Sequence, residues 1–404
     1  MHTTKRILML LDNPLKSDSR VEREMKALAK AGHDVTVLAT NEDPSLPAEE
    51  ATESYRVVRR LNTAFKAPYR KGYGRKNAEA VELILGSRFD VLHCHDYHML
   101  IMGAAAKKRL PGITLLYDAH EYLRGAPLYL EARGLITKLK AFLVWKRALK
   151  DERAAIRAAD RILTITNSIA AKMKDDFGLA NLPEVVRNIP PKVPLRKRVN
   201  YFHDHFKIDR SNKILLNLGT IYHTDTELSQ LFETVRDTPN LKLVFMGNRP
   251  RFHEVKAQVE AHAALSQHVF FHDYINSEDI GDYIASADIG LAHIRVDWEG
   301  HRLGFTNRFL AYSFAGLPVI CTRQDECVRI GREYGHVELY EIASRASLRQ
   351  AIDSMLQHYD QRTLNIPRIR EEMSWETEVQ KLDLLYRTIE PSELHRGGLK
   401  PAVQ

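Results

Sequence analysis

Ile7-Leu8-Met9-Leu10-Leu11, then Val21, Met25, Leu28 and Ala29 at helical spacing, then Val35-Thr36-Val37-Leu38 behind Gly32, read as a strand, a crossover helix and a second strand. The rhythm continues through β-rich runs at residues 91–93, 114–117 and 162–166, each separated from the last by enough chain for a helix. Strands of this kind belong to a parallel sheet covered on both faces. Around Asn188-Ile189-Pro190-Pro191 and the basic residues 192–198 the periodicity lapses, and two adjacent prolines exclude helix. A second series starts at Ile214-Leu215-Leu216-Asn217-Leu218-Gly219 and repeats at residues 243–246, 269–271, 289–292 and 318–321. An amphipathic helix closes the pattern over residues 375–389, with Val379, Leu382, Leu385 and Tyr386 inward, ahead of a tail containing Gly397, Gly398 and Pro401. The expected domains are 1–190, 191–372, a helix at 373–390 that crosses back to the first domain, and a tail at 391–404. In open parallel sheets ligands bind outside the carboxyl ends of the strands, so two such sheets facing each other are expected to form a cleft for two substrates.

The chain has 404 residues, which at roughly 150 per domain gives two to three domains, and its 44% hydrophobic content suffices for packed cores. No apolar run approaches the roughly 20 residues that span a bilayer, and residues 7–11 are too short for a signal peptide. A cytoplasmic location is expected. Cys94, Cys321 and Cys327 are sparse and lack a neighbouring histidine pair, which argues against a disulfide framework or a zinc site.

The net charge of +7 is concentrated. Residues 56–76 carry Arg56, Arg59, Arg60, Lys66, Arg70, Lys71, Arg75 and Lys76 with no acid, interleaved with Phe65, Tyr69 and Tyr73. Residues 124–157 hold nine basic and three acidic residues, with Leu135, Leu139, Phe142 and Leu149 as an apolar helical stripe beside Lys138, Lys140, Lys146 and Arg147. Both segments suit an anionic membrane surface; the alternative for the second is a core-facing helix with a solvated basic back. No zinc-finger, RNP or helix-turn-helix pattern accompanies the charge, and nucleic acid is not the expected partner.

The order and spacing of short motifs resemble the GT-B glycosyltransferases, in particular family 4 of the retaining, nucleotide-sugar-dependent enzymes. The motifs are Asp18-Ser19-Arg20-Val21 leading into Ala31-Gly32-His33-Asp34-Val35, Asp90-Val91-Leu92-His93-Cys94-His95-Asp96, Asp118-Ala119-His120-Glu121, Ser286-Ala287-Asp288-Ile289-Gly290-Leu291, and Thr306-Asn307-Arg308-Phe309 running to Gly316-Leu317-Pro318-Val319. The resemblance implies an α/β GT-B fold of two Rossmann-like domains. It also implies transfer of a sugar from a nucleotide-sugar to a glycan or lipid-linked acceptor, with no metal or other cofactor, in the setting of cell-surface polysaccharide synthesis. Two departures fall in the donor half. The family's paired glutamates are replaced by Leu303 and Ala311, and the loop 219–225 lacks the usual arginine and lysine. A non-catalytic scaffold that has lost donor chemistry is therefore the alternative.

Such a transfer needs cations and unpaired helix amides for a departing diphosphate. Arg308 is the preferred phosphate partner and Arg249 the second, because a guanidinium grips two oxygens. Gly219 suits the turn that cradles the phosphates, Asn307 opens the donor helix, and Glu299 or Asp297 is placed to stand in for a lost carboxylate. The resemblance puts Tyr274 and Ile275 near the nucleobase and His120 near the transferring sugar. His95 and Asp96 either orient an acceptor hydroxyl and take its proton or close a turn. Asp18 and Arg20 either meet the acceptor or, for Asp18, cap a helix.

Overall fold

The computed structural model describes residues 4–390 except 17, 62–80, 83, 87, 190–191, 193–199, 276–279 and 305. The chain divides into two compact units, Met1–Asn188 with Glu378–Gln404, and Ile189–Thr377.

The first unit holds β1 (Arg6–Leu10), β2 (Asp34–Thr40), β3 (Glu49–Ala51), β4 (Tyr55–Leu61), β5 (Val91–His95), β6 (Thr114–Ala119), β7 (Arg161–Thr164) and β8 (Glu184–Val185). They form one sheet in the order β3-β4-β2-β1-β5-β6-β7-β8. Every pair is parallel except β3 with β4. The second unit holds β9 (Lys213–Leu218), β10 (Leu241–Gly247), β11 (Val269–Asp273), β12 (Ile289–Ala292), β13 (Val319–Thr322) and β14 (Val337–Tyr340), all parallel, in the order β11-β10-β9-β12-β13-β14. In both units the chain starts mid-sheet, runs to one side, then returns and runs to the other. That order makes β1/β5 and β9/β12 the switch points, where open α/β sheets leave a crevice at the strand ends.

Alternation along the strands explains why both faces are covered. On β9, Ile214 and Leu216 enter one buried cluster with Val244 and Met246, while Leu215 enters the opposite one with Leu243 and Phe245. The switch point of the second unit is bridged by a side chain. Tyr312, fully buried on the Asn307–Ala315 helix, accepts from the Leu218 amide at 2.7 Å and donates to the Leu291 carbonyl at 3.2 Å, joining backbone groups of β9 and β12 beyond their last ladder pair, Gly290 with Leu216.

The fold changes the reading of the basic segments. Residues 55–61 form a strand, and its two-residue period turns Val57, Arg59 and Leu61 inward. Arg59 is 5% exposed, and its guanidinium bonds Glu50 at 2.6 Å and the carbonyls of Pro14 and Pro47. Arg60 pairs with Glu49. The acids absent from the stretch itself arrive from β3, so these two arginines do not form a free cationic surface. Residues 62–76 lie outside the described residues. The helix Leu135–Ala155 is not core-facing along its first half: Leu135 is 84% and Leu139 57% exposed, while Phe142 and Leu149 are half-buried.

The terminal helix Trp375–Thr388 buries Leu382, Leu385 and Tyr386, and also Glu378, which accepts from the Arg187 amide at 2.9 Å. All three cysteines are buried and unbridged. Among the described residues, no helix is long and apolar enough to cross a membrane.

Candidate active site

Beside the switch point of the first unit lies a cluster of buried ionisable groups, Arg20, Glu24, His93, His95 and Asp118. β5 is buried at all five positions and runs without a connecting loop into the helix Asp96–Arg109. Asp96 turns that corner with φ of 64°, a left-handed conformation that aspartate tolerates better than most side chains. His120 follows the end of β6. Its backbone amide donates to Asp96 Oδ1 at 3.2 Å, and its ring spans two carboxylates, with Nε2 3.0 Å from Asp118 Oδ2 and Nδ1 3.6 Å from Asp96 Oδ2. His95 Nδ1 lies 3.1 Å from His120 Nε2. Across the switch, His98 Nδ1 is 3.3 Å from Asp12 Oδ2, joining the chain after β1 to the chain after β5.

Exposure grades these groups by what each can touch. The side chain of His120 is 17% exposed and that of Asp96 33%, whereas His95 and Asp118 are fully buried. His95 therefore stands behind His120 and not against a ligand. Arg20 is buried as well, with Nη2 bonded to Asp118 Oδ1 at 2.8 Å, Nη1 to the Val186 carbonyl at 2.7 Å, and Glu24 at 3.0 Å. Its site is interior; an acceptor at the surface does not reach it. Asp18 caps the Ser19–Lys30 helix through the Val21 amide, and its second oxygen accepts from Asn13.

The charges sort themselves by these contacts. Burial opposes the charge on His120, but Asp118 and Asp96 overcome it and push the imidazole up to about 9. Burial raises the Asp96 carboxyl to about 6, with Asp12 and Asp118 adding to the effect and His120 opposing it. Burial would also raise Asp118, yet Arg20 and His120 hold it well below the usual carboxylate range. Burial pushes Glu24 up, and burial with repulsion from His93 pushes His95 well down, leaving that ring neutral. At neutral pH the edge that meets solvent thus carries an imidazolium beside a carboxylate whose proton has largely left.

Glu24, His93, His95 and Asp118 bring one donor atom each within 4.8 Å of one another, the one metal-capable group among the described residues. A cation already serves those carboxylates: Arg20 contacts both Asp118 and Glu24. Asp118 Oδ2 also receives Arg20 Nε at 3.1 Å and lies 3.0 Å from His120 and 3.3 Å from His95, so a metal there would have to displace established contacts.

In the second unit, β9 ends at Gly219, whose φ of 77° is left-handed and whose missing Cβ leaves open space. Arg308 reaches the same turn, 9% exposed, with Nη2 2.8 Å from the Thr220 carbonyl, Nη1 3.5 Å from Asn217 Oδ1, and its guanidinium 5.2 Å from the Tyr222 ring centroid. Asn307 is exposed in the first turn of the helix that Thr306 caps. Arg249 is exposed at the start of the helix Pro250–Glu260. Tyr274 is 48% exposed beyond β11, while Ile275 packs against the core. Glu299 lies 3.8 Å from Arg302, and Asp297 is engaged by Arg295 at 2.6 Å. At the two positions that lack glutamate, Leu303 is buried and Ala311 packs on the core. The structure thus groups Gly219 and Arg308 directly around one turn.

Residues 19–195 match the model described as Glycosyltransferase Family 4, and residues 212–358 the model described as Glycosyl transferases group 1. The chain thus carries a family 4 and a group 1 glycosyltransferase domain on a GT-B fold. Sucrose-phosphate synthase from Thermosynechococcus elongatus is 18% identical, with 95% of this chain and 98% of that chain covered at a TM-score of 0.67. A glycosyltransferase from Rickettsia africae is 13% identical, with 96% and 99% covered at 0.64. Anabaena HepE, solved in complex with UDP, is 13% identical, with 94% and 99% covered at 0.63. No curated protein matches the sequence significantly.

Some neighbours in this glycosyltransferase escaped the sequence reading. Glu24 sits four residues after Arg20 on the buried face of the first helix, a spacing that was available as a signal. His93 stacks on His95 with ring centroids 4.3 Å apart and takes Tyr386 Oη at 3.0 Å on Nδ1, a partner 293 residues away that no local pattern announces. In the second unit, His223 and His293 stack at 3.7 Å near the ends of β9 and β12, and His293 Nδ1 is 2.6 Å from Tyr340 Oη. Burial pushes His223 well down and His293 down to about 4, so a neutral pair stands close to the Arg308 turn.

Proposed function

We propose that the chain is a retaining glycosyltransferase of the hexosyl type, independent of metal, that moves a sugar from a nucleotide-sugar donor to a glycan or lipid-linked acceptor. The setting is cell-surface polysaccharide synthesis of the lipopolysaccharide or capsule kind, with the protein in the cytoplasm and peripheral to the inner membrane face. One observation carries the reading: at a strand-end crevice the His120 ring stands between the carboxylates of Asp118 and Asp96, and His120 and Asp96 each keep an edge open to solvent. In the transfer, the bond from the sugar's anomeric carbon to the diphosphate oxygen breaks and the acceptor oxygen bonds to that carbon on the same face, which keeps the anomeric configuration. The acceptor's proton leaves as its oxygen attacks. Asp96, ionised above about 6, is the acceptor-side group that takes it, while His120 donates a hydrogen bond to a hydroxyl of the sugar. Arg308 and the Gly219 turn serve the diphosphate; Arg308 would exchange its Thr220 bond for phosphate oxygens.

The test is release of nucleotide from UDP-, GDP- and CMP-sugars with and without candidate acceptors. UDP comes first because HepE holds it. Turnover lost in Asp96→Asn and His120→Ala supports the proposal, and no turnover or hydrolysis with any donor refutes it. A second reading, a GT-B scaffold without donor chemistry, is favoured by Leu303 and Ala311 and by the tethering of Arg308 to Thr220. Calorimetry separates the two, since a scaffold gives no nucleotide-dependent heat.

A further inference from the structure

The helix Leu135–Ala155 is anchored at one end only. In its second half Ala148, Glu152 and Ala155 are buried, Tyr117 Oη donates to Glu152 at 2.8 Å, and Trp145 Nε1 donates to the Leu123 carbonyl at 3.2 Å. Tyr129 adds ring contacts to Phe142 and Trp145 at 5.0 and 5.2 Å. In its first half the outer face leaves Leu135 84%, Ile136 71%, Leu139 57%, Leu143 56% and Val144 37% exposed. Five large aliphatic side chains crowded into three turns of one helix exceed the scattered exposure of an ordinary surface. They sit among exposed Lys138, Lys140, Lys146, Arg147 and Lys150, and residues 133–150 contain no acid.

We infer that this face docks on an anionic lipid surface, the aliphatic side chains entering between headgroups and the lysines lying over lipid phosphates. A core-facing helix would bury the aliphatic row, and a merely solvated helix would not carry it. Charge complementarity selects the occupant. A row of lysines with no acid among residues 133–150 repels a second copy of itself, whereas anionic headgroups neutralise it, and the long lysine stems let aliphatic and cationic groups of one face reach the interface together. Among the described acids nearby, Glu152 is turned inward to Tyr117 and Asp151 pairs with Arg147 at 2.9 Å, so the positive charge of the face rests on the lysines. The inference narrows the membrane association proposed above to one helix and to the phosphate headgroup as ligand. It does not depend on sugar transfer, because vesicle binding is read without substrate.

The experiment is co-sedimentation of the full chain with vesicles of phosphatidylcholine alone and of phosphatidylcholine mixed with phosphatidylglycerol. Binding confined to the mixed vesicles and weakened by salt is the expected result. Lys138→Gln and Lys140→Gln should each lower partitioning about fivefold, and Leu139→Ser with Leu143→Ser should abolish it. All four positions are exposed, and circular dichroism checks that the variants stay folded. Equal binding to both vesicle types, binding unchanged in the serine variant, or no binding at all overturns the inference. So does a concentration-dependent dimer by light scattering that the serine variant turns into monomer, since a second copy would then own the face.

Discussion

Arg20 grips Asp118 through two nitrogens, Nη2 at 2.8 Å from Oδ1 and Nε at 3.1 Å from Oδ2, and both side chains are buried. The pair ties the first helix to β6 across 98 residues of sequence and fixes the carboxylate that charges His120. Arg20→Met leaves Asp118 and Glu24 as buried carboxylates with their cation gone. The expected loss is about 3–5 kcal/mol of folding stability, read from the urea midpoint. A loss under about 1 kcal/mol would show that the pair carries little of the fold.

The pH profile of transfer should be a bell. Activity rises as pH climbs through about 6, where Asp96 loses its proton, and falls through about 9, where His120 loses its own. Asp118→Asn removes the charge that sustains the imidazolium, so the alkaline limb should move to lower pH while the acid limb stays nearer its place. A profile that keeps its alkaline limb in that variant contradicts the assignment.

Stability against pH should slope in two windows. His120 binds its proton more tightly folded than unfolded, so its contribution is complete below 6.5 and is lost as pH rises through about 9. His293 and His336 run the other way: burial pushes both down to about 4, the unfolded chain takes up protons first, and their contribution falls as pH drops from 6.5 toward 4. Asp96 offsets this in part, since its carboxyl, raised to about 6, gains its proton first in the folded chain. His120→Gln should flatten the alkaline slope. Thermal melts across the range decide it.

Gly290→Ala should destabilise the second unit by about 1–3 kcal/mol, because a Cβ there would stand 2.2 to 2.7 Å from atoms of Tyr312, whose hydroxyl bridges β9 and β12. Gly219→Ala meets no such clash, only a left-handed backbone, and should cost less. Chemical denaturation of the two variants compares them, and an equal cost would remove the packing explanation.

Tyr386→Phe leaves His93 Nδ1 without its 3.0 Å partner in a fully buried setting. The expected cost is about 1–3 kcal/mol, seen as a lower urea midpoint with an unchanged slope. No change in midpoint would mean that the hydroxyl does not hold the terminal helix to β5.

The parts of this fold legible in the sequence were those written in short-range pattern. β1, β2, β5 to β7 and β9 to β13 stood out because a strand covered on both faces is largely apolar. β4 was missed because its inward row includes Arg59, a charge that only makes sense once Glu50 and two carbonyls surround it. The strands β3 and β8, of three and two residues, are too short for a period to show, and in β14 Glu338 interrupts the apolar run.

His120, Asp96, His95 and Arg20 could be named from the chain because motifs of fixed spacing hold the first three at strand ends and Arg20 in the first turn of a helix. Which of them meets solvent could not be. By itself the sequence determined two tandem α/β units, since hydrophobic periodicity is a local property that each segment carries wherever it folds. Tertiary structure alone decided that His95 stands behind His120, that Arg20 turns inward to Asp118, that Tyr386 reaches His93, and that Leu135 and Leu139 face outward. Burial and charge pairing depend on which segments become neighbours, and the free energy of an ionisable or apolar side chain is set by those neighbours.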